Sequence, residues 1–371
     1  MKERICIITT AHPAFDARIF LRGARSLAEA GYNVHLVAQH DASETQEGVS
    51  VMALKKVRTR AARLAFVGWR AFFAALRKRA DAYHFHDPEF LVFGLLLHWF
   101  RRKPVIYDVH EDLPAQIHSK EWIPQPLRRP AARLARAGLR FTLKRMSAVV
   151  AATQGVADSL ALPTRPVIIR NFPVLDMIPE RVERCGDGAV RAVYVGRVSE
   201  ERGLGEMLEA MRILHDEPIE LVLQGTATPS AKRLLQAASE SDLVRYVPWA
   251  PPQGAYRTLA SADIGLACLR PVSRFQSALP VKLFEYMACG IPVIASDFPL
   301  WREIVGGAEC GLLVDPLDPC AIAGAIRYLL EHPEERAAMG RSGRASVETE
   351  YNWEAESAKL LDLYSRVLGD Q

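Results

Sequence analysis

Short apolar runs alternate with helix-like stretches twice along this chain, and that alternation narrows the fold more than any single motif does. In the first pass "RICIITT" reads as a strand, "RIFLRGARSLAEAG" as a helix ending at Gly31, and "NVHLVAQ" as a second strand. "AYHFHD", "PVIYDVHE", "AVVAAT" and "VIIRNFP" continue as short strands with helical stretches between them. The pattern then restarts. "AVRAVYVGR", "IELVLQG", "VRYVPWA" and "DIGLACL" read as strands, separated by the helices "GLGEMLEAMRILHD", "PSAKRLLQAASE" and "QGAYRTLASA". Apolar strands alternating with helices belong in a parallel sheet covered on both faces. Two passes give an α/β chain of two doubly wound domains in tandem.

Length agrees, since 371 residues are many for one core. The stretch "FPVLDMIPERVERCGDGA", rich in Pro, Gly and charge, reads as the linker. We therefore expect a first domain over residues 1–175, a second over 176–350, and a C-terminal segment over 351–371. In that last segment Leu360, Leu361, Tyr364, Val367 and Leu368 share one helical face, suited to either domain. Sheets of this kind bind ligands beyond the carboxyl ends of their strands, which makes the cleft between the domains the expected site.

No apolar run reaches the length of a membrane-spanning helix, and the start lacks a signal-peptide pattern, so the expected location is cytoplasmic. The six cysteines form no CxxC pair and no metal-ligand spacing; they read as reduced and structural, with no metal implied. The net charge of +4 conceals an asymmetry. Residues 1–175 hold 27 Lys+Arg against 14 Asp+Glu, or +13, and the remainder is −9. Such a split suggests that the first half faces an anionic partner, a membrane surface or a nucleic acid.

Two short stretches carry the chemistry. In "YVGRVSEERGL" a strand ends at Val195, Gly196 permits a close turn, and Arg197 projects from the strand tip. Ser199 suits an N-cap, with Arg202 in the first turn that follows. Arginine at a helix start, where acids are the norm, suits a bound phosphate. The plainer alternative is a solvated helix start neutralised by Glu200 and Glu201. In "LPVKLFEYMACG" a helix of about nine residues, with Pro280 at its start and Gly290 past its end, places Lys282 and Glu285 on one face. Lysine would meet a phosphate or a sugar, and the carboxylate would accept hydrogen bonds from ribose hydroxyls. Here the alternative is a local i,i+3 ion pair.

These stretches, with "HPAFDARIFLRGARSLAEAGYNVHLVA", "HFHDPEFLVFGLL", "PVIYDVHEDLP", "LQG" and "ADIGLACL", make the chain resemble the retaining family 4 glycosyltransferases, the glycosyl transferases group 1. The likeness extends over nearly the whole chain and is strongest to the bacterial branch that builds exopolysaccharide, O-antigen and capsule. It implies a GT-B fold, two Rossmann-like domains with an interdomain cleft. It also implies a sugar nucleotide as co-substrate (UDP-sugar ahead of GDP-sugar), no further cofactor and no metal. By the resemblance Arg197 and Arg202 hold the diphosphate and assist its departure, the second being more often lysine. Glu285 grips the ribose, and Gly196, Gly225, Lys282 and Leu283 complete the donor site. Ser277 stands where the family usually has a first glutamate, which leaves the donor sugar open. His110 corresponds to the histidine that faces the donor sugar, its alternative being a structural histidine. His12, Asp16 and Arg18 in the first loop, with His86 and Asp87, fall on the acceptor side.

The expected reaction moves a sugar with retention to a glycan or a lipid-linked sugar. An epimerase of the same fold is the alternative, and a non-enzymatic binder of an anionic polymer a further one. Nucleic-acid motifs are missing, so a nucleic acid is not expected as partner. From Lys120 to Arg145 the sequence has eight basic residues and a single acid, Glu121. Leu134, Leu139, Phe141 and Leu143 lie among Arg133, Arg136, Arg140 and Lys144, the composition of an interfacial amphipathic helix. This predicts a peripheral position on the inner face of the plasma membrane, held by the basic first domain. An ordinary helix with its apolar stripe on the sheet is the alternative.

Overall fold

The structure is a computed structural model that describes residues 2–57, 59, 62–109, 117, 124–163, 165–180, 188–238, 242–276 and 278–369. The chain divides into two compact units, residues 1–171 with 355–371, and residues 172–354.

The first unit holds strands β1 (Arg4–Pro13), β2 (Asn33–Gln39), β3 (Glu44–Gln46), β4 (Val49–Leu54), β5 (Ala82–Phe85), β6 (Val105–Val109), β7 (Ala148–Ala151) and β8 (Val167–Ile168). They form one sheet in the order β3-β4-β2-β1-β5-β6-β7-β8. Every pairing is parallel except β3 with β4. β5 is buried along its whole length, as a strand covered on both faces requires. Strand order reverses between β1 and β5, the place where an open α/β sheet leaves a crevice at its carboxyl edge. The helix expected after β1 begins with wide π-type turns over Ala17–Ala24 and becomes regular only over Arg25–Glu29. The Asp16 carbonyl accepts from both Phe20 N (2.9 Å) and Leu21 N (3.3 Å), which opens that first turn.

Three helices of this unit are consecutive neighbours. Gly68–Lys78, led in by the π turn Arg63–Val67, packs beside Leu91–Arg101, which packs beside Gln125–Leu143. The last of these lays Leu139 and Leu143 into the core, but leaves Leu134 and Phe141 in solvent. The ordinary packed-helix reading therefore holds for Leu139 and Leu143, while Leu134 and Phe141 lie outside that stripe.

The second unit has strands β9 (Val190–Val195), β10 (Ile219–Gln224), β11 (Val244–Val247), β12 (Ile264–Ala267), β13 (Val293–Ser296) and β14 (Gly311–Val314). All pair in parallel in the order β11-β10-β9-β12-β13-β14, with the reversal between β9 and β12. Phe172 already belongs to this unit, where its ring meets Phe284 at 4.7 Å and Tyr351 at 5.5 Å.

The closing helix, Trp353–Gly369, returns to the first unit. Buried Glu356 accepts from Arg170 N at 2.8 Å and pairs with Lys359 at 2.7 Å. Tyr364, fully buried, places its hydroxyl 2.9 Å from His84 Nδ1 on β5. Leu360, Leu363 and Tyr364 form its buried stripe. Among the described residues no helix is long and apolar enough to cross a membrane.

Candidate functional site

The tip of β9 is where the second unit gathers its charge. β9 and β10 run side by side to their carboxyl ends and both turn on glycine, Gly196 at φ +138° and Gly225 at φ +143°. A Cβ on Gly225 would fall 1.8 Å from the Gly196 carbonyl oxygen, so only glycine lets the two strand ends lie this close. The Gly225 carbonyl in turn accepts from the Tyr246 hydroxyl at 2.7 Å.

Arg197 leaves this turn exposed to solvent. Beneath it Tyr194 donates its hydroxyl to the Arg197 carbonyl at 2.9 Å; burial raises the pKa of this phenol, and the nearby Arg202 guanidinium opposes that rise. Arg202 also lies over the Phe275 ring at 5.4 Å. The expected helix start is corrected here. Ser199 makes no side-chain cap, Glu200–Arg202 is a single 3-10 turn, and the helix begins at Leu204 after Gly203 in the left-handed region. Arg202 thus sits on a separate turn ahead of the helix, near Tyr194 and over the Phe275 ring.

The helix over Val281–Ala288 is one turn behind this tip, and the Trp301 indole holds the loop before it by donating to Ala278 O at 3.0 Å. Pro280 precedes the helix as its cap residue, and Gly290 follows at φ +66°. Lys282 does not form the i,i+3 ion pair. Its Nζ is buried 3.8 Å from the centre of the Tyr194 ring, and finds no hydrogen-bond partner among the described residues. Burial first, and then the Arg202 guanidinium, push the Lys282 pKa well below the usual lysine value, against the opposing pull of Glu285. Glu285 is half-buried and receives the Tyr256 hydroxyl at 3.4 Å. Leu283, expected at the donor site, is corrected. It is fully buried in the core, and its N–H is taken by Pro280 O at 3.0 Å.

In the first unit the predicted residues divide into two groups at the carboxyl ends of β1 and β5. His12 and Asp16 keep solvent access, with His12 Nδ1 3.6 Å from Asp16 and His12 Nε2 3.5 Å from Asp87. Burial would raise the Asp16 pKa. His12 and the N–H groups of Ile19 and Arg18 outweigh it and hold the carboxyl well below the usual range. Asp87 is buried and works as a loop anchor, accepting from Thr9 Oγ1 (2.8 Å), Thr10 N (2.6 Å) and Ala11 N (3.3 Å). Arg18 is buried too. It forms a two-pronged pair with Asp108, both contacts at 2.9 Å, and reaches Ile169 O at 3.0 Å. His86 Nδ1 stands 3.4 Å from the same Asp108, and its ring stacks on His84. Arg18 and His86 are therefore struts behind the loop.

His84, His86 and Asp108 are also the one group of metal-ligand type among the described residues. A guanidinium already covers both Asp108 oxygens, so the cluster is poorly suited to a cation. Cys6, Cys268, Cys289 and Cys310 are buried, and burial pushes each thiol up to about 12, in keeping with structural cysteines. His110 and Ser277 lie outside the described residues. Tyr194, Tyr256 and Phe275 were not singled out from sequence. Tyr194 reads there as one more apolar residue of a strand, and only its neighbours across the fold give it a role.

Comparison with known proteins gives two matching family models. "Glycosyl transferases group 1" matches residues 182–346, and "Glycosyl transferase 4-like domain" matches residues 17–170. Among curated proteins, the amylovoran biosynthesis glycosyltransferase AmsK of Erwinia amylovora is 28% identical over 183 residues, 48% of this chain and 45% of that protein. The GDP-mannose-dependent monoacylated alpha-(1-6)-phosphatidylinositol monomannoside mannosyltransferase of Corynebacterium glutamicum is 30% identical over 171 residues, 45% of each chain. The chain thus spans a little under half the length of these relatives. In fold it is similar over 100% of both chains to sucrose-phosphate synthase from Thermosynechococcus elongatus, with TM-score 0.78 and 19% identity. It is similar over 99% of its length, and 100% of the other chain, to Anabaena Alr3699/HepE crystallised with UDP, with TM-score 0.71 and 15% identity.

Proposed function

The chain belongs to the group 1 glycosyl transferases of GT-B fold, and from that premise we propose that it moves a sugar from a nucleoside-diphosphate sugar to a glycan or lipid-linked acceptor. One observation carries the reading. At the switch point of the second sheet Arg202 and Lys282 lie beside a glycine turn from which Arg197 leaves into solvent, with Glu285 one helical turn from Lys282. Three basic side chains beside a backbone free of Cβ atoms suit a diphosphate, and a half-buried carboxylate suits the ribose hydroxyls. UDP is the favoured carrier, with GDP next. HepE was crystallised with UDP, and the corynebacterial relative is named as GDP-mannose-dependent. The name of AmsK, an amylovoran biosynthesis glycosyltransferase, supports a part in the biosynthesis of a glycan.

In the proposed reaction the anomeric C–O bond breaks and its electron pair stays on the phosphate oxygen. The acceptor hydroxyl then bonds to the same face and its proton is lost to solvent. An oxocarbenium-like transition state of this kind depends chiefly on stabilising the leaving group. Arg197 and Arg202 supply that charge directly, which supports a metal-independent reaction. Thermal-shift binding of UDP-, GDP- and dTDP-sugars, followed by product analysis with and without acceptor, tests the reading. Donor turnover that needs no acceptor would favour the epimerase.

We further propose that the first unit rests on an anionic membrane. From Arg63 to Arg79, Leu91 to Lys103 and Gln125 to Arg145 the three neighbouring helices and their ends hold fifteen Lys+Arg and no acid. Between these charges stand Trp69 (50% exposed), Phe73 (52%), Phe100 (70%) and Leu134 (76%). Trp69 stacks on Phe73 at 6.1 Å, and both rest on buried Phe72. Near an anionic leaflet each basic residue contributes about 1 kcal/mol, and apolar insertion adds to that independently of salt. Such a position would favour a lipid-linked acceptor.

A further inference from the structure

Lys282 has the features of a group waiting for a ligand. A lysine ammonium carries three donors, and burying it with none of them satisfied is expensive. In this site Nζ has no hydrogen-bond partner among the described residues and lies 3.8 Å from the centre of the Tyr194 ring. A Cβ built on Gly196 would come within 3.1 Å of Nζ, so the amine lies directly under the bare glycine turn. The charged and titratable groups that face it are Tyr194 at the end of β9, Arg202 on the following turn, and Glu285 on its own helix. Arg202 repels an ammonium, while Glu285 attracts one without pairing with it. A cation over a tyrosine ring gains something, but less than burial of an unpaired charge costs.

We propose that Lys282 is a third phosphate-binding cation held in reserve: its amine is uncharged in the empty site, and a nucleoside diphosphate entering beside Gly196 recruits a proton onto it. This rests on the reading that the second unit binds a nucleoside diphosphate. The phosphates reverse the local balance of charge, because they neutralise Arg202 and give the ammonium oxygens to donate to. The proton comes from the solvent, so no other reactant is required. The empty site avoids holding three uncompensated cations. The full complement is in place when the C–O bond breaks and the diphosphate gains negative charge.

The sign of the pH effect follows. Occupancy raises the Lys282 pKa above its depressed value in the empty site, so affinity is fully present below the empty-site value and is lost as pH rises through the occupied-site value. Between the two, binding takes up one proton per nucleotide, and Kd weakens about tenfold per pH unit.

Titration calorimetry of the full chain with UDP and with GDP, in two buffers of contrasting ionisation enthalpy, counts the protons. At about pH 8 the terminal phosphate is already ionised, its second ionisation lying near 6 for a phosphate monoester. The expected result is uptake approaching one proton by the parent protein. Lys282→Met should show none, bind more weakly with a Kd that no longer depends on pH, and melt no lower than the parent. Nucleotide binding by the parent without uptake would overturn the proposal and leave the donor reading standing. Equal uptake by Lys282→Met would do the same. If neither nucleotide binds the parent at all, the donor reading itself fails, and this one with it.

Discussion

Replacing Arg18 separates an acceptor contact from a structural strut. The guanidinium is 7% exposed, bonded twice to Asp108 at 2.9 Å and once to Ile169 O at 3.0 Å, with His86 on the far side of the same carboxylate. Arg18→Met keeps most of the aliphatic stem but leaves the Asp108 charge buried with its main partner gone. Breaking a buried pair from one side costs about 3–5 kcal/mol. For a domain of this size each kcal/mol shifts Tm by roughly 2–4 °C, so the first unit should melt about 6–20 °C lower. Since a two-unit chain need not unfold in one step, hydrogen exchange of β1 and β6 amides is the better reading of the first unit alone. Adding Asp108→Leu to Arg18→Met removes the buried charge that the arginine balanced and should return part of the loss. If Arg18→Met leaves stability and exchange unchanged and instead weakens the use of acceptor, the strut assignment is wrong.

Arg197→Ala and Arg202→Ala should each weaken UDP or GDP binding at least tenfold, from loss of a charge-assisted contact of about 1.5–3 kcal/mol, with the fold intact by circular dichroism. Gly225→Ala should do more damage, because the added methyl meets the Gly196 carbonyl at 1.8 Å at a φ that alanine avoids; calorimetry should find nucleotide binding lost along with a lowered Tm. The protein should co-sediment with anionic vesicles and be released only in part by salt. Arg133, Arg136 and Arg140 to Gln should remove the salt-sensitive part, and Trp69→Ser with Phe100→Ser the salt-resistant part. Equal recovery from anionic and neutral vesicles at low salt would exclude the membrane position.

β1 and β2 were legible because their buried middles write themselves as apolar runs, as in "RICIITT" and "NVHLVAQ", whereas β14, parallel but only four residues long and half-buried over its first three, was not. The β3–β4 hairpin was not, since Glu44–Gln46 is exposed throughout and carries no apolar pattern at all. In the site, the sequence located charged residues at strand ends but did not set where they aim. Arg18 points to Asp108 and Ile169, 90 and 151 residues away, and no local spacing records such partners. Lys282 and Glu285 share a helical face, as three-residue spacing requires. Their different burial comes from Tyr194 and Gly196, which are distant in sequence. Leu283 illustrates the reverse limit, a residue inside a specific motif whose side chain serves only the core.

The closing helix has a consequence for synthesis. The second unit is a single uninterrupted stretch, 172–354, whereas the first is completed only by residues 355–371. On a ribosome the order of completion is therefore inverted. The first unit is made early and must wait, through all of the second, for the Tyr364 hydroxyl to reach His84 and for Glu356 to reach Arg170. At about 5–20 residues per second the wait lasts roughly ten to forty seconds. During that interval the side of β5 that Tyr364 will cover stands open, so a stop codon or a bulky tag near this helix would be felt at a strand 280 residues earlier in the chain.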